Sequence, residues 1–296
     1  MTKKKLPLQH ILKNFQMEEK KKLNVAAITD FSEHGTNAVR HGLLLAKIFG
    51  GELMIFSNFR VKKREFKSVF QKEEERKMTE FLQKKAEKTK FTVIEEPTDA
   101  KSLYSFAEAN NVGLFVIAAA ETDKETYFSR KKAFSFILPS RQPVLVTGSV
   151  PPPENCFKNV LLPLDLRPQN KEKVLWAGYF NRFYDSKIHI LYSHFDEQHL
   201  QHEIDLIIAF AKKLYSNLEI TDYEIHKITP TVDNMDKYSL SFAPQVAATL
   251  TVILMTHNRS LGDLILGVRE KTLIGNTQGF PVLCINERPD LYVLCT

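Results

Sequence analysis

Cysteine is scarce. Cys156, Cys284 and Cys295 are the only three, an odd number with no Cys-x-x-Cys pair. That argues against a disulfide framework and makes a reduced, cytoplasmic setting the simplest one. No apolar run approaches the roughly 20 residues that a membrane helix needs, so an integral membrane protein is not expected. The opening MTKKKLPLQHILKNF is basic but lacks a continuous apolar core and a small-residue cleavage site, so it does not read as a secretory signal. Catalytic signatures are missing too. There is no Gly-x-Ser-x-Gly elbow, no Gly-x4-Gly-Lys-[Ser/Thr] loop, no His-Glu-x-x-His, and no cysteine with a sequence-coded partner. An enzyme is therefore not the expected reading, although triads assembled from distant residues leave no local trace.

A basic nucleic-acid face is also lacking. The formal charge is +6, but residues 1–24 hold seven lysines and two glutamates, which leaves +1 for the other 272 residues. The basicity belongs to the tail, and no footprint for a phosphate backbone remains on the body. Within the tail Leu8, Ile11, Leu12 and Phe15 fall at i, i+3, i+4 and i+7, the stripe of a short amphipathic helix. Docking on the body and contact with a partner or a membrane surface are both open to it.

What is present is a repeated α/β pattern. At 296 residues the chain has room for about two domains of ~100–200 residues each. Val25–Ile28 reads as a buried strand that ends in Thr29-Asp30-Phe31-Ser32, with Ser32 as helix N-cap. Val39, Gly42, Leu43 and Ala46 make a helical stripe that stops at Gly50-Gly51. Strands follow at Leu53–Phe56, Phe91–Ile94, Leu114–Ala118 and Pro143–Thr147, with helical segments at Lys62–Lys90, Ser102–Asn110 and Ser129–Leu138 between them. Pro151-Pro152-Pro153 then makes a stiff linker.

After the prolines the same order returns. Strands are expected at Val160–Leu162, Lys187–Tyr192, Ile220–Ile225, Leu250–Met255 and from Pro281 to Ile285. Helices are expected from Pro168 to Tyr184, over Glu197–Ser216, over Met235–Ala248, and after the loop His257–Gly262. Asp30 matches Asp165 at an offset of 135, and Pro143-Val144-Leu145 matches Pro281-Val282-Leu283 at 138. Two landmarks at opposite ends of the repeat keep nearly one offset, which is the signature of an internal duplication. The organisation expected is a basic segment 1–22, a first domain 23–149, a linker 150–156 and a second domain 157–296. Each domain is expected to be a doubly wound, five-stranded, mostly parallel sheet.

These residues resemble the universal stress protein family. Ile28-Thr29-Asp30-Phe31-Ser32, the helix ending at Gly50-Gly51 and Pro143-Val144-Leu145-Val146 look like one copy. Leu162-Pro163-Leu164-Asp165 and the stretch 250–285 look like a second. The resemblance implies a flavodoxin-like fold of the adenine nucleotide alpha hydrolase type, a cytoplasmic location, and pairing of two domains through their last strands. That pairing would be an intramolecular pseudo-dimer or a homodimer.

Nucleotide-binding members of the family carry Gly-x2-Gly-x9-Gly-[Ser/Thr] after the fourth strand. The second copy has Met255 and Asn258 at the first two glycine positions, Gly267 one residue early, and Val268 in place of the hydroxyl residue. Gly262 is an extra glycine in that loop. The first copy, Ala118-Ala119-Ala120-Glu121-Thr122-Asp123, has no glycine and adds two carboxylates. By resemblance Asp165 and Asp30 would contact the adenosine part of a nucleotide, with Pro163 a further candidate of that site; by local chemistry Asp30 and Asp165 order their own turns. The expectation is a stress-response regulatory or interaction protein with a degenerate nucleotide site and an unidentified protein partner. The alternatives are a sensor of ATP or another adenine nucleotide through the second domain, or a small-molecule or metal-binding protein. For the last of these, His194, His199 and His202 are the candidate metal cluster, weighed against solvated histidines on a helix face.

Overall fold

The computed structural model describes residues 22–57, 69–97, 99–122, 126–167, 169–255, 273–274 and 280–287. The first half comprises β1 (Leu23–Ile28), α1 (Glu33–Phe49), β2 (Gly50–Phe56), α2 (Val69–Lys85), β3 (Phe91–Ile94), α3 (Ala100–Ala109), β4 (Val112–Ala118), α4 (Arg130–Ile137) and β5 (Val144–Thr147). The second comprises β6 (Asn159–Leu164), α5 (Asn170–Tyr184), β7 (Lys187–Ser193), α6 (Gln198–Asn217), β8 (Tyr223–Ile228), α7 (Met235–Phe242), β9 (Leu250–Leu254) and β10 (Val282–Ile285). The expected basic amphipathic segment and the loop and helix that follow β9 lie outside the described residues, as do Asn258, Gly262, Gly267 and Val268.

The ten strands among the described residues form one sheet, in the order β3-β2-β1-β4-β5-β10-β9-β6-β7-β8. Within each half the pairs are parallel, while β5 and β10 meet antiparallel, with Leu145 opposite Leu283. The last strand of each half is therefore covered by the other. That leaves β3 and β8 at the sheet edges, and both carry exposed residues, whereas β5, β9 and β10 are buried throughout. Unbroken apolar runs suit strands covered on both faces, and alternation suits an edge.

Local chemistry sets the helix ends. The Ser32 hydroxyl accepts from the Gly35 amide at 3.0 Å and starts α1. Gly50 ends it at φ 65°, a conformation that glycine adopts without a Cβ clash. Several boundaries differ from the sequence expectation, and two of the differences have a clear local cause. β8 begins at Tyr223, because Ile220 closes α6 by donating its amide to the Tyr215 carbonyl at 2.9 Å. The helix expected over Met235–Ala248 ends at Phe242 and continues as a 3-10 turn, Ala243–Val246. Pro244 has no amide hydrogen to extend the α-helical ladder.

One core runs through both halves on the α1/α5 face. It joins Val25, Leu45 and Leu53 to Val160, Phe180 and Ile190. Phe49, the last residue of α1, meets Trp176, Phe180 and Phe183 of α5 edge-on, with centroids 6.3, 5.7 and 5.9 Å away. On the opposite face Phe115, Phe136 and Ile117 pack with Ile253, Met255 and Cys284. Among the described residues no helix is long and apolar enough to cross a membrane.

Candidate functional site

In a doubly wound sheet a ligand crevice opens where the strand order reverses, beyond the carboxyl ends of the strands. In the first half that point lies between β1 and β4, and in the second between β6 and β9. Asp30 and Asp165 stand there, one residue or two past the ends of β1 and β6. Both are engaged by the chain's own groups.

Asp30 accepts from the Ser32 amide at 3.0 Å and from the Ser32 hydroxyl at 2.5 Å through Oδ1. Through Oδ2 it accepts from the Thr126 hydroxyl at 3.0 Å and the Tyr127 amide at 2.5 Å. Its carboxylate thus ties the loop after β4 across the crevice to the turn before α1. Gly35 makes this fit possible: a Cβ there would meet Asp30 Oδ1 at 2.5 Å and Thr29 Oγ1 at 2.7 Å.

Asp165 is bridged differently. Its Oδ1 accepts from the Arg167 amide at 3.0 Å and from Asn170 Nδ2 at 2.9 Å, and its Oδ2 accepts from Arg167 Nε at 2.7 Å. The Arg167 guanidinium continues across the crevice. Nη1 donates to the Leu254 carbonyl at the end of β9 (3.1 Å), and Nη2 donates to Asp236 Oδ2 on α7 (2.7 Å). Beneath it Lys173, fully buried on α5, donates to the carbonyl of Pro163 and lies 3.6 Å from Asp236 Oδ1. Two carboxylates, a guanidinium and an ammonium are thus gathered at the end of β6.

The electrostatics match the contacts. Burial alone would raise the Asp165 carboxyl. The Lys173 charge and the Arg167 and Asn170 hydrogen bonds outweigh it and hold the group below the ordinary carboxylate range. Burial opposes the Arg167 cation, yet Asp236 and Asp165 hold it on the guanidinium. At Lys173 burial is the largest influence and lowers the ammonium, against the pull of Asp236 and Asp165.

The sequence-derived candidates separate on this frame. Asp165 and Pro163 are part of the network. Met255 is fully buried, and its amide donates to the Ile285 carbonyl at 2.7 Å. Arg167, Lys173 and Asp236 carry the arrangement, and motif reading missed them. One signal for Lys173 was available: it lies on the stripe Asn170, Lys173, Ala177, Phe180, a charged side chain on the buried face of α5. At the 135-residue offset its counterpart is Ala38 and that of Arg167 is Ser32, so the ionic cluster is peculiar to the second half.

The candidate metal cluster is not assembled. His194 Nδ1 lies 2.6 Å from Gln201 Oε1, and its Nε2 lies 3.7 Å from Asp196. Among the described residues the group of potential metal ligands that converges is a different one, on β7 and β8. A cavity of about 270 Å³ lies between the halves, lined in part by Arg141, Gln142, Glu172, Trp176, Tyr179 and Asn286. None of Asp30, Asp165, Arg167, Lys173 or Asp236 lines it.

Comparison of the sequence with family models and with curated proteins gives no match. Comparison of the structure does. A universal stress protein from Archaeoglobus fulgidus superposes with a TM-score of 0.64 at 16% identity, covering 90% of this chain and 99% of that one. A structure described as a universal stress protein from Pseudomonas aeruginosa gives 0.62 at 14% identity, covering 95% and 98%. The cytoplasmic domain of a prokaryotic cation chloride cotransporter gives 0.52 at 11% identity, covering 92% and 99%. At these identities the likeness is one of fold. The chain has the fold of a tandem universal stress protein, two doubly wound five-stranded units joined in one polypeptide through their last strands.

Proposed function

We propose that this chain is a non-catalytic regulatory or interaction protein whose two ancestral nucleotide crevices are held by its own side chains. The observation that carries the reading is Arg167, which spans the second crevice from Asp165 to Leu254 and Asp236. A nucleotide entering there would have to displace a guanidinium that pairs with the buried Asp236 and the half-buried Asp165. Removing such a partner costs about 3–5 kcal/mol, comparable to the −4.1 kcal/mol of a millimolar ligand. In the first half the Thr126 and Tyr127 contacts occupy Asp30 in the same sense. Met255 supports the reading as well, since its amide is spent on Ile285 and is not free to meet a phosphate.

The function then rests on surfaces presented by a rigid double sheet to a protein partner, in the cytoplasm. Cys156, buried and outside any disulfide, is compatible with a reducing compartment. The test is direct. Purified full-length protein is expected to retain no nucleotide and to show no thermal shift with millimolar ATP and magnesium. A shift that Asp165→Ala abolishes would replace this proposal with that of a nucleotide sensor acting through the second domain.

A further inference from the structure

On β7 and β8 three potential metal ligands meet. The parallel register places His189 beside Glu224, and His226 follows two residues on from Glu224, so all three side chains stand on one face of the sheet. His189 Nδ1 is 3.1 Å from His226 Nε2, 3.6 Å from Glu224 Oε2, and His226 Nε2 is 3.8 Å from that same oxygen. With metal–ligand bonds of about 2.0–2.2 Å, the edges of a tetrahedral zinc site are roughly 3.3–3.5 Å. The triangle already has those dimensions to within a few tenths of an ångström.

We propose that His189, Glu224 and His226 form a binding site for a zinc-type divalent cation, with His189 Nδ1, His226 Nε2 and Glu224 Oε2 as ligands. Three protein ligands leave a fourth position for water or an incoming donor atom, the open arrangement of zinc sites that are not purely structural.

The surroundings support it from several sides. Burial lowers the proton affinity of both imidazoles, which keeps them neutral and able to offer a lone pair. The two rings stack at 5.3 Å, and His226 is further fixed by the Phe242 ring at 5.2 Å, so the donor atoms are set before metal arrives. Glu224 divides its oxygens: Oε1 pairs with Lys187 Nζ at 2.5 Å, while Oε2 faces the histidines. Lys187 thus acts as an outer partner that orients the carboxylate, as supporting groups commonly do around a metal. His189 is 5% exposed, His226 23% and Glu224 51%, so the triangle has a dry floor and a wet mouth. The cation would tie the edge strand β8 to β7, independently of either nucleotide crevice.

The test uses the full-length chain stripped with EDTA and titrated with zinc chloride by calorimetry, with cobalt(II) as a spectroscopic stand-in. The expected result is one zinc per chain, the intense visible absorption of four-coordinate cobalt, and a rise in melting temperature. Glu224→Gln and His226→Ala should each weaken zinc at least about tenfold, the lower bound of losses seen even for outer partners. Both positions reach solvent, so these variants are expected to fold, and their melting without metal verifies it. His194→Ala should bind as the parent does. No saturable uptake at micromolar zinc overturns the proposal, as does binding weakened less than tenfold by either variant or lost only in His194→Ala.

Discussion

Arg167 donates from Nη1 to the carbonyl of Leu254 at 3.1 Å, joining the turn after β6 to the carboxyl end of β9 across the point where the strand order reverses. Only a side chain with several divergent donors could reach Asp165, Leu254 and Asp236 at once. A lysine at position 167 would supply the charge without the fork.

Arg167→Ala is therefore expected to destabilise the protein by about 3–5 kcal/mol, because Asp165 and Asp236 lose the guanidinium hydrogen-bonded to both, with only Lys173 left beside them. Arg167→Lys should recover only part of the loss. Urea unfolding followed by circular dichroism measures both. A loss below about 1 kcal/mol for Arg167→Ala would mean that the network contributes no more than an exposed ion pair does.

The contrast between Asp165 and Lys173 shows how far the sequence is legible. The central strands are readable from apolar runs and turn residues, because a strand buried on both faces writes its burial into consecutive positions, whereas the edge strand β8 is read three residues early. The pairing of Leu145 with Leu283 follows from the resemblance to paired domains, but whether it lies within one chain becomes clear only from the register. Asp165 is visible at the end of a strand. Its partners Arg167 and Asp236 are not, since 69 residues separate them and nothing local links α7 to β6. His189 and Glu224 fail for the same reason: they become neighbours only when β7 and β8 align. His194, His199 and His202, close together in the sequence, do not converge as a group of potential metal ligands.

Asp30 makes a second prediction about the first crevice. With its Oδ2 accepting from Thr126 and Tyr127, Asp30→Ala should release that loop from the β1 turn. Two or more hydrogen bonds to a carboxylate are lost, each with a net contribution of up to about 1.5–3 kcal/mol. Amide exchange at Tyr127 is the sensitive measure. Its protection should fall sharply in Asp30→Ala, and unchanged protection would show that the loop is held by something else.

His41 predicts a pH dependence. It is buried on α1, where Nδ1 must carry the hydrogen, since it donates to the Asn37 carbonyl at 2.8 Å. Burial, aided by Arg40, lowers its pKa from 6.5 to about 4, against the Asn37 hydrogen bond, which raises it. Between those values the unfolded chain takes up a proton that the folded chain refuses, so stability is intact above pH 6.5 and falls as the pH drops towards 4. A displacement of that size is worth about 3 kcal/mol. His189 and His226 act in the same direction, so the diagnostic is a difference. His41→Asn, which keeps a donor, should show a flatter stability profile than the parent over this window. Parallel profiles would remove His41 as the cause.

Phe49 tests whether the halves form one cooperative body. It belongs to α1 of the first half, yet its ring is 6% exposed and meets three aromatic rings of α5 in the second. Phe49→Ala should cost about 3–5 kcal/mol, the usual range for a buried phenylalanine. Phe49→Leu, which keeps most of the apolar volume, should cost less than about 1.5 kcal/mol beyond the lost ring contacts. The decisive measurement is a double-mutant cycle with Phe180→Ala. Edge-to-face pairs couple by about 0.5–1.5 kcal/mol, so the two losses should fall short of additivity by that amount. Strict additivity would mean that α1 and α5 are stabilised separately. The pairing of β5 with β10 would then have to hold the two sheets together without support from the helices above it.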